Sequence, residues 1–332
     1  MKRPGSLGLL FLGAGRRTSL LRRFIRSCEK ESVEPRLVCF EKEMDVPVAS
    51  LAKVVKCTQW SAWNIDDIIG LARSEDIDVV IPCMDGACYN LSCHATLVER
   101  EGRCWPCVSY AGPCVMFGDK REAEYVFNGI GVKTPQFRGR VSFPAIVKPR
   151  IGYGGRGQSI AHCESEIRTR TGKYPDKYIV QPLIAGDEYS VDAYVSKTGR
   201  VLGCVPRRRL VVHGGEVIKS MTVKDGQIIA EATQIIRACS GFFGPLNLQC
   251  IRQKETLYWL EVNCRFGGGV ILSIEAGADY TRLLIREALG RPVHPVRWID
   301  GLLMTRSFTE TFFDCDNRAA LRQGGVPSWH LR

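Results

Sequence analysis

The sequence predicts a mixed architecture: an α/β N-terminal domain built on a parallel sheet, followed by an α+β region. Near the N-terminus, a strand-like apolar run leads through a glycine turn into a helical pattern. Strand and helix patterns alternate up to about residue 112, whereas short alternating strands dominate the region beyond it. A chain of 332 residues is long enough to form two or three domains.

The N-terminal elements have the outline of a nucleotide-binding α/β unit. They are a strand (residues 7–12), a Gly-x-Gly turn (13–15), a helix up to Lys30, and a second strand (35–40) that ends at Glu41. Thr18 stands where the fingerprint has its third glycine, so a tight strand-to-helix turn is favoured over a dinucleotide site. Further elements are predicted as helices at 66–74 and 91–102 and a strand at 78–82.

Composition and charge narrow the class of protein. No apolar run reaches the roughly 18 residues of a membrane helix, and the run at 7–12 is too short for a signal peptide, so a cytoplasmic protein without a membrane partner is expected. The 15 cysteines, densest between residues 83 and 114, fit no standard zinc spacing and are interpreted as buried hydrophobes and free thiols. An anionic substrate explains part of the net charge of +11 as well as nucleic acid does, and because the basic residues are scattered, with no long basic tail, a nucleic-acid partner is not expected.

The middle of the chain combines a lysine with a glycine-rich loop. Asp119 is a predicted N-cap for a helix over 120–128, and an apolar strand at 143–149 carries Lys148 near its end. The loop from Gly152 to Gly157 fits G-x-G-x-x-G, but a strand follows it rather than a helix, and it lacks the Lys-Ser of a Walker loop. A hairpin flap that approaches phosphate oxygens is therefore favoured over a plain surface hairpin, because Lys148 immediately precedes it.

A polar strand face is predicted between residues 258 and 269. Period-two alternation places Trp259, Glu261, Asn263 and Arg265 on one face of a strand that runs into Gly267-Gly268-Gly269. If the preceding turn is a hairpin centred on Glu255, Gln249 lies opposite Glu261 and Asn247 opposite Asn263. Carboxylate and amide oxygens suit Mg²⁺ better than zinc.

The ordered set of motifs resembles the ATP-grasp superfamily, and within it the branch of the carbamoyl-phosphate synthase large chain, over roughly residues 7 to 315. The motifs are Ile81-Pro-Cys-Met-Asp85, Asp119-Lys120, Gly131-Val-Lys-Thr-Pro135, Pro144-Ala-Ile-Val-Lys-Pro149 with the glycine flap, Gln181 to Asp192, Pro206-Arg-Arg-Arg-Leu210 with Gly215-Glu216, Glu261 to Gly269, and Glu275-Ala-Gly-Ala278. The resemblance implies a Rossmann-like pre-ATP-grasp domain (1–112), an ATP-grasp domain (113–300) with a flap subdomain (143–180) and a metal and substrate subdomain (181–300), and a C-terminal extension (301–332) packed on the ATP-grasp domain.

The same resemblance implies a role for each matching residue. ATP would be held by Lys120, Lys148, the flap glycines Gly154 and Gly155, Gln181, the backbone of Leu183, and Glu188 at the ribose. Mg²⁺, with Mn²⁺ as an alternative, would be held by Gln249, Glu261 and Asn263, while Arg265 would contact the transferred phosphate. Catalytic roles would fall to Arg265, Lys148 and Glu261, and the substrate would meet Arg207, Arg209, His213, Glu216, Gly268 and Gly269.

The chain departs from the family pattern at three positions. Pro182 and Cys264 stand where the branch has glutamate and proline, and Gly86 follows Asp85 where relatives carry an acidic residue. These changes put contacts in doubt but remove no predicted ligand. For Arg207 and Arg209, a solvated basic loop remains an alternative to a carboxylate clamp.

The predicted function is an ATP-dependent carboxylate–amine ligase that acts through an acyl phosphate on small-molecule carboxylate and amine substrates, with Mg-ATP between the two ATP-grasp subdomains. A carboxylate or carbamate kinase of the carbamoyl-phosphate synthase type is the first alternative, and a non-catalytic nucleotide- or nucleic-acid-binding protein is the second. A homodimer is left open.

Overall fold

The computed structural model describes residues 5–57, 64–137, 141–152 and 155–314. The described chain divides into two units. Unit 1 comprises residues 5–108, 281–293 and 307–314, and unit 2 comprises residues 109–280 and 294–306. Within the described ranges, no helix is both long and apolar enough to span a membrane.

Unit 1 is built on a five-stranded parallel sheet, which confirms the predicted α/β N-terminal domain. The strand order is β3-β2-β1-β4-β5. Its elements are β1 (Ser6–Leu12), α1 (Thr18–Lys30), β2 (Glu34–Glu41), a 3₁₀ turn (Pro47–Ser50), β3 (Lys53–Lys56), α2 (Ile65–Ser74), β4 (Val79–Pro82), α3 (Asp85–Cys93), α4 (Ala95–Gly102) and β5 (Trp105–Pro106). The short strands β3 and β5 were not predicted, and the single helix predicted at 91–102 is wrong because the chain breaks at His94 into α3 and α4.

The glycine turn after β1 is occupied by a side chain of the protein. The Glu41 carboxyl group, at the end of β2 and 4% exposed, accepts hydrogen bonds from the backbone N–H groups of Ala14 and Gly15. Burial raises the pKa of Glu41 to about 7 in spite of these hydrogen bonds, and its Oε1 has no hydrogen-bond partner among the described residues. The amides that would cradle a phosphate are therefore already used, which supports the structural interpretation of this turn.

Arginines of the segment 281–293 bind a buried carboxylate of unit 1. Glu31, at the end of α1, accepts hydrogen bonds from Arg282, Arg286 and Arg291 at 2.6–3.0 Å. Burial alone would raise the pKa of Glu31, but the hydrogen bonds from the three guanidinium groups lower it to about 2. The cluster thus fixes this returning segment to α1 by charge-assisted hydrogen bonds.

Unit 2 contains a three-stranded sheet and a six-stranded sheet. Its elements are α5 (Ala111–Gly118), α6 (Lys120–Ile130), β6 (Ala145–Pro149), β7 (Ser159–Ala161), α7 (Glu164–Thr171), a 3₁₀ turn (Pro175–Lys177), β8 (Tyr178–Pro182), β9 (Asp187–Val195), β10 (Val201–His213), β11 (Glu216–Thr222), α8 (Gly226–Ala238), β12 (Gly244–Gln253), β13 (Thr256–Asn263), α9 (Val270–Glu275), α10 (Tyr280–Ala288, mostly in unit 1) and β14 (Leu303–Thr305). The orders are β7-β6-β8 and β13-β12-β9-β10-β11-β14.

The β12–β13 hairpin has the predicted register at its site end. Gln249 pairs with Glu261 and Asn247 with Asn263. Between Gln249 and Cys250 the register shifts by one residue, so that Cys250 pairs with Trp259. The prediction that Trp259 shares a face with Glu261 is therefore wrong: this β-bulge turns the indole to the opposite face, where its Nε1 donates to Glu231 of α8 at 2.8 Å.

Other differences from the predicted elements have local causes. The sequence pattern predicts two short strands at 201–205 and 211–212 and a helix over 231–240, but β10 is one continuous strand of 13 residues and α8 begins at Gly226, capped by the Asp225 side chain. The pattern also predicts one helix over 273–289, where the structure has two helices interrupted at Gly277, whose φ of +114° is unfavourable for other residues. Of the cysteines in the described residues, all but Cys93 and Cys163 are buried, as predicted.

Candidate active site

The polar face of the six-stranded sheet brings together most of the predicted site residues. Gln249 pairs with Ser190 of β9 on one side and with Glu261 of β13 on the other, so the three side chains share a face. The alternate residues of these strands, such as Val191 and Val262, are buried on the opposite face, where α8 packs. We call the first side the polar face. It carries Glu188, Ser190, Asp192, Arg207, Arg209, Asn247, Gln249, Glu261 and Asn263.

The predicted metal ligands lie in a connected row on this face. The Asn263 Nδ2 atom donates to Glu261 Oε1 at 3.0 Å, and Arg265 Nη2 donates to Asn263 Oδ1 at 3.3 Å. Gln249 Oε1 accepts from Arg209 Nη1 at 3.3 Å. One carboxylate and two amide oxygens form the donor set of a hard cation such as Mg²⁺. The described residues contain no cluster of three or more His, Cys, Asp or Glu arranged to hold a metal.

Lys148 lies on β6, close enough to the polar face to interact electrostatically with Glu261. The pKa of Lys148 is lowered to about 8: burial is the largest cause and the nearby charge of Lys120 acts in the same direction, while Glu261 and Glu124 oppose the shift. A desolvated ammonium group beside a second cation favours an anionic ligand. Phosphate oxygens would satisfy both lysines at once.

The residues at the start of the glycine flap are hydrogen-bonded to the N-terminal end of helix α6. Asp119 caps α6 by accepting from the Arg121 amide at 2.9 Å and also forms an ion pair with Arg150, at the end of the β6 strand. Lys120 Nζ donates to the Gly152 carbonyl at 2.9 Å. Gly155 and Gly157 have φ values of +68° and +72°, a conformation that favours glycine. Gly154 lies outside the described residues.

Two further residues bear on the predicted nucleotide contacts. The Gln181 side chain is buried; its Nε2 donates to Glu124 and to the Pro135 carbonyl, while its Oε1 has no partner in the described part of the chain. An orphaned buried acceptor fits a donor such as the exocyclic amine of adenine. The Leu183 amide donates to the Pro144 carbonyl at 3.0 Å, so a nucleotide contact from its backbone would use the carbonyl.

Two members of the polar face, Asp192 and Arg207, form a buried ion pair. Asp192 and Arg207 have side chains that are each 1% exposed, and Arg207 donates Nε and Nη2 to the two Asp192 oxygens at 2.6 and 3.2 Å. Asp192 also accepts from Asn247 at 2.8 Å and from the Ser273 hydroxyl at 2.6 Å. Arg207 is thus held inside the unit, so its geometry favours a supporting role over the predicted substrate contact.

The glycine turn after β13 packs on this ion pair. A Cβ atom at Gly269 would lie 2.4 Å from Arg207 Nη1, and one at Gly267 would lie 2.6 Å from Asn247 Nδ2. No neighbour would meet a Cβ at Gly268, which is exposed. Two of the three glycines are therefore required by close approach, because no side chain fits between the turn and the buried network.

The predicted substrate residues of β10 and β11 are spread along a hairpin. Arg209 forms an ion pair with Glu188 at 3.4 Å, whereas His213 and Glu216 are exposed beside the turn. Glu216 pairs with Arg306 at 3.3 Å, and Arg306 also donates to the Gly268 carbonyl. Burial lowers the pKa of Arg306; Arg207 also lowers it, against the opposing effect of Glu216.

Sequence reasoning missed Arg306, Glu124 and the structural role of Asp192. Arg306 follows the edge strand β14, in a region predicted only as a polar end with short strands. Nothing in its local pattern indicates a contact with Gly268, 38 residues away. For Asp192, a buried position between Val191 and Ala193 could have indicated an ion pair, because a lone buried carboxylate is costly.

Comparison with known proteins is consistent with this geometry. Residues 175–308 match the family described as ATP-grasp in the biosynthetic pathway with Ter operon. The carbamoyl phosphate synthase large chain of Agathobacter rectalis is 26% identical over 183 residues, which are 51% of this chain and 17% of that protein. This chain therefore matches only about a sixth of that relative's length.

Solved structures extend the likeness to the whole fold. N5-carboxyaminoimidazole synthetase from Staphylococcus aureus, complexed with ADP, superposes with a TM-score of 0.71 at 14% identity, covering 92% of this chain and 83% of that one. The biotin carboxylase domain of the Hydrogenobacter thermophilus 2-oxoglutarate carboxylase, in complex with MgADP, ADP and bicarbonate, gives 0.70 at 17% identity over 88% and 73%. The chain thus resembles an ATP-grasp family over residues 175–308, which is less than half of its length, and shares the fold of these solved structures.

Proposed function

We propose that the protein is an ATP-dependent carboxylate–amine ligase that uses the polar face of unit 2. The observation that carries the proposal is the row formed by Gln249, Glu261, Asn263 and Arg265, with Lys148 close enough to interact with Glu261. Oxygen ligands for a cation and donors for phosphate lie together there, in a fold that also occurs in proteins solved with ADP and MgADP. This combination suits phosphoryl transfer better than nucleophilic catalysis by a side chain.

Each side chain then has a role that follows from its charge and position. Lys148 and Lys120 bind and orient the phosphates, and the flap from Gly152 excludes water. Gln181 accepts from the adenine amine and Glu188 from the ribose. Mg²⁺, held by Gln249, Glu261 and Asn263, would neutralise phosphate charge.

Arg265 would stabilise the phosphoryl group during its transfer to a carboxylate. The oxygen of the carboxylate attacks the γ-phosphorus, ADP departs, and an amine then attacks the acyl carbon of the acyl phosphate and releases phosphate. The protein supplies position and charge, so no covalent enzyme intermediate is required.

Two guanidinium groups, those of Arg306 and Arg209, favour the interpretation that the substrate carries a carboxylate. Arg306 lies against Gly268, and Arg209 has a buried Nε without a partner in the described residues. Gly268 follows Arg265 by three residues in the chain, so Arg306 reaches the turn that begins at the proposed phosphate contact. A carboxylate is the anion that such forked donors bind best after phosphate.

A carbamate or carboxylate kinase is the second candidate, because the match to the carbamoyl phosphate synthase large chain points to it. The two candidates share the phosphoryl-transfer step and differ in the amine. The ligase needs an amine for turnover, whereas the kinase accumulates an acyl or carbamoyl phosphate without one.

The test is ADP release by the full chain in a screen of carboxylates with and without amines. We expect release that requires both substrates and is abolished in Glu261→Ala. Glu255→Ala, which removes a carboxylate from the exposed hairpin turn, is the matched control and should keep full activity. Amine-independent turnover would favour the kinase, and absence of Mg-ATP binding by calorimetry would refute both.

A further inference from the structure

Arg209 links two groups that the proposed function assigns to different ligands. Its Nη1 atom lies 3.3 Å from Gln249 Oε1, a proposed metal ligand, and 3.4 Å from Glu188 Oε1, the proposed ribose contact. Its Nη2 atom donates to the Gly215 carbonyl at 3.2 Å. The side chain is only 9% exposed, whereas that of Glu188 is 35% exposed. Three anchors and burial therefore hold this guanidinium group over the polar face.

The position of Arg209 is fixed by the strand as well as by its partners. Arg209 pairs with Ser220 across the β10–β11 hairpin, and the register shifts between Arg209 and Val211. A bulge next to the residue fixes the direction in which its side chain leaves the strand. The neighbouring Arg208 points to the other face, where it pairs with Asp187 at 2.6 Å.

Charge explains why a cation belongs there. Burial raises the pKa of Glu188, and the negative charge of Glu261 raises it further, whereas Arg209 lowers it. Two carboxylates on one half-buried face repel each other unless positive charge lies near them. Arg209 supplies that charge from the protein itself.

We propose that Arg209 is a built-in counter-cation that a divalent metal must displace from Gln249. The proposal rests on the proposed function, since it assumes that Gln249 and Glu261 hold the metal. Without metal, Arg209 occupies the Gln249 oxygen and neutralises the two carboxylates. When metal binds, Gln249 gives its oxygen to the ion, and Arg209 keeps Glu188 and the Gly215 carbonyl as partners. The residue thus lowers metal affinity and keeps the face ordered when it is empty of nucleotide.

The test is binding of Mn²⁺, as the probe, to the full chain in a fixed excess of ADP, followed by electron paramagnetic resonance. Arg209→Met should bind Mn²⁺ about tenfold more tightly than the parent protein, because it removes a positive charge that contacts the oxygen of a proposed metal ligand. Arg209→Lys keeps the charge but cannot reach all three partners, so it should bind with intermediate affinity. Arg208→Met makes the same charge change on the opposite face and should bind Mn²⁺ as the parent protein does.

The outcomes separate this inference from the proposed function. If Glu261→Ala abolishes Mn²⁺ binding but Arg209→Met and Arg209→Lys bind as the parent or more weakly, Arg209 is not a competitor of the metal and the inference is wrong. If Glu261→Ala binds Mn²⁺ as tightly as the parent, the metal is not on the polar face, and both the inference and the proposed metal site fail. Circular dichroism checks that each variant is folded, and the lysine variant decides the question if the methionine variant is not.

Discussion

Raising the pH should weaken nucleotide binding through Lys148. The pKa of this lysine is lowered from 10.5 to about 8, first by burial and then by Lys120, so the free protein loses this positive charge above pH 8. Bound phosphates favour the protonated form and return the pKa towards its ordinary value. The apparent Kd for ADP should therefore be constant near pH 7 and about tenfold larger at pH 9, a difference of about 1.4 kcal/mol.

The measurement is calorimetric titration of ADP at fixed Mg²⁺ between pH 7 and 9, where the nucleotide phosphates are already ionised. Lys148→Arg keeps its charge throughout and should give a flat profile, whereas Lys148→Met should bind weakly at every pH. Lys173→Arg, an exposed position on the flap side, should retain the wild-type profile. An equal decline in wild type and Lys148→Arg would show that another group titrates, and the assignment of Lys148 to the phosphates would fall.

Three further predictions concern stability. The pKa of Glu41 is raised by burial from 4.5 to about 7, so the native state holds a proton that the unfolded chain releases, and the free energy of unfolding falls as pH rises between these values. Glu41→Gln should remove up to roughly 3 kcal/mol of that fall. If the urea midpoint of Glu41→Gln changed between pH 5 and 8 as much as that of the parent protein, this prediction would be wrong. Gly269→Ala should lower the free energy of unfolding by about 1–3 kcal/mol because its Cβ would meet Arg207, whereas Gly268→Ala should lower it by under about 0.5 kcal/mol. Similar melting temperatures of the two variants would refute the packing argument. Asp192→Asn leaves the Arg207 charge buried and unpaired and should lower the free energy of unfolding by about 3–5 kcal/mol. A decrease below about 1 kcal/mol in urea titrations would mean that the pair is not desolvated.

Reflection about a single centre, which pairs the residues of an ideal hairpin, predicted the register of the metal face but not that of the part nearer the turn. Placing that centre at Glu255 brings Gln249 opposite Glu261, as the structure has it. The same rule fails closer to the turn, where Cys250 pairs with Trp259. A bulge inserts one residue without leaving a mark in the hydrophobic pattern, because the side chains alternate correctly on either side of it.

Contacts between distant segments could not be predicted from local patterns. Nothing in the local pattern around Asp192 or Arg207 says that they pair with each other rather than with ligand or solvent. Arg306 follows an edge strand of three residues, which is too short to be identified from its periodicity. Helix breaks could not be predicted for a related reason. His94 and Gly277 interrupt helices where φ changes, whereas the hydrophobic pattern indicates only which face of a helix is apolar.

The buried ion pair and the metal face are one hydrogen-bonded system. Asn247 donates its side chain to Asp192 at 2.8 Å and accepts at its backbone carbonyl from Asn263 Nδ2 at 3.4 Å. The same Asn263 nitrogen donates to Glu261 at 3.0 Å, so two residues separate the buried Asp192 carboxylate from that of the proposed metal ligand Glu261. Orientation of ligand oxygens depends on such supporting bonds. Asp192→Asn should therefore also weaken Mn²⁺ binding at the polar face, although Asp192 itself is too deeply buried to touch the ion.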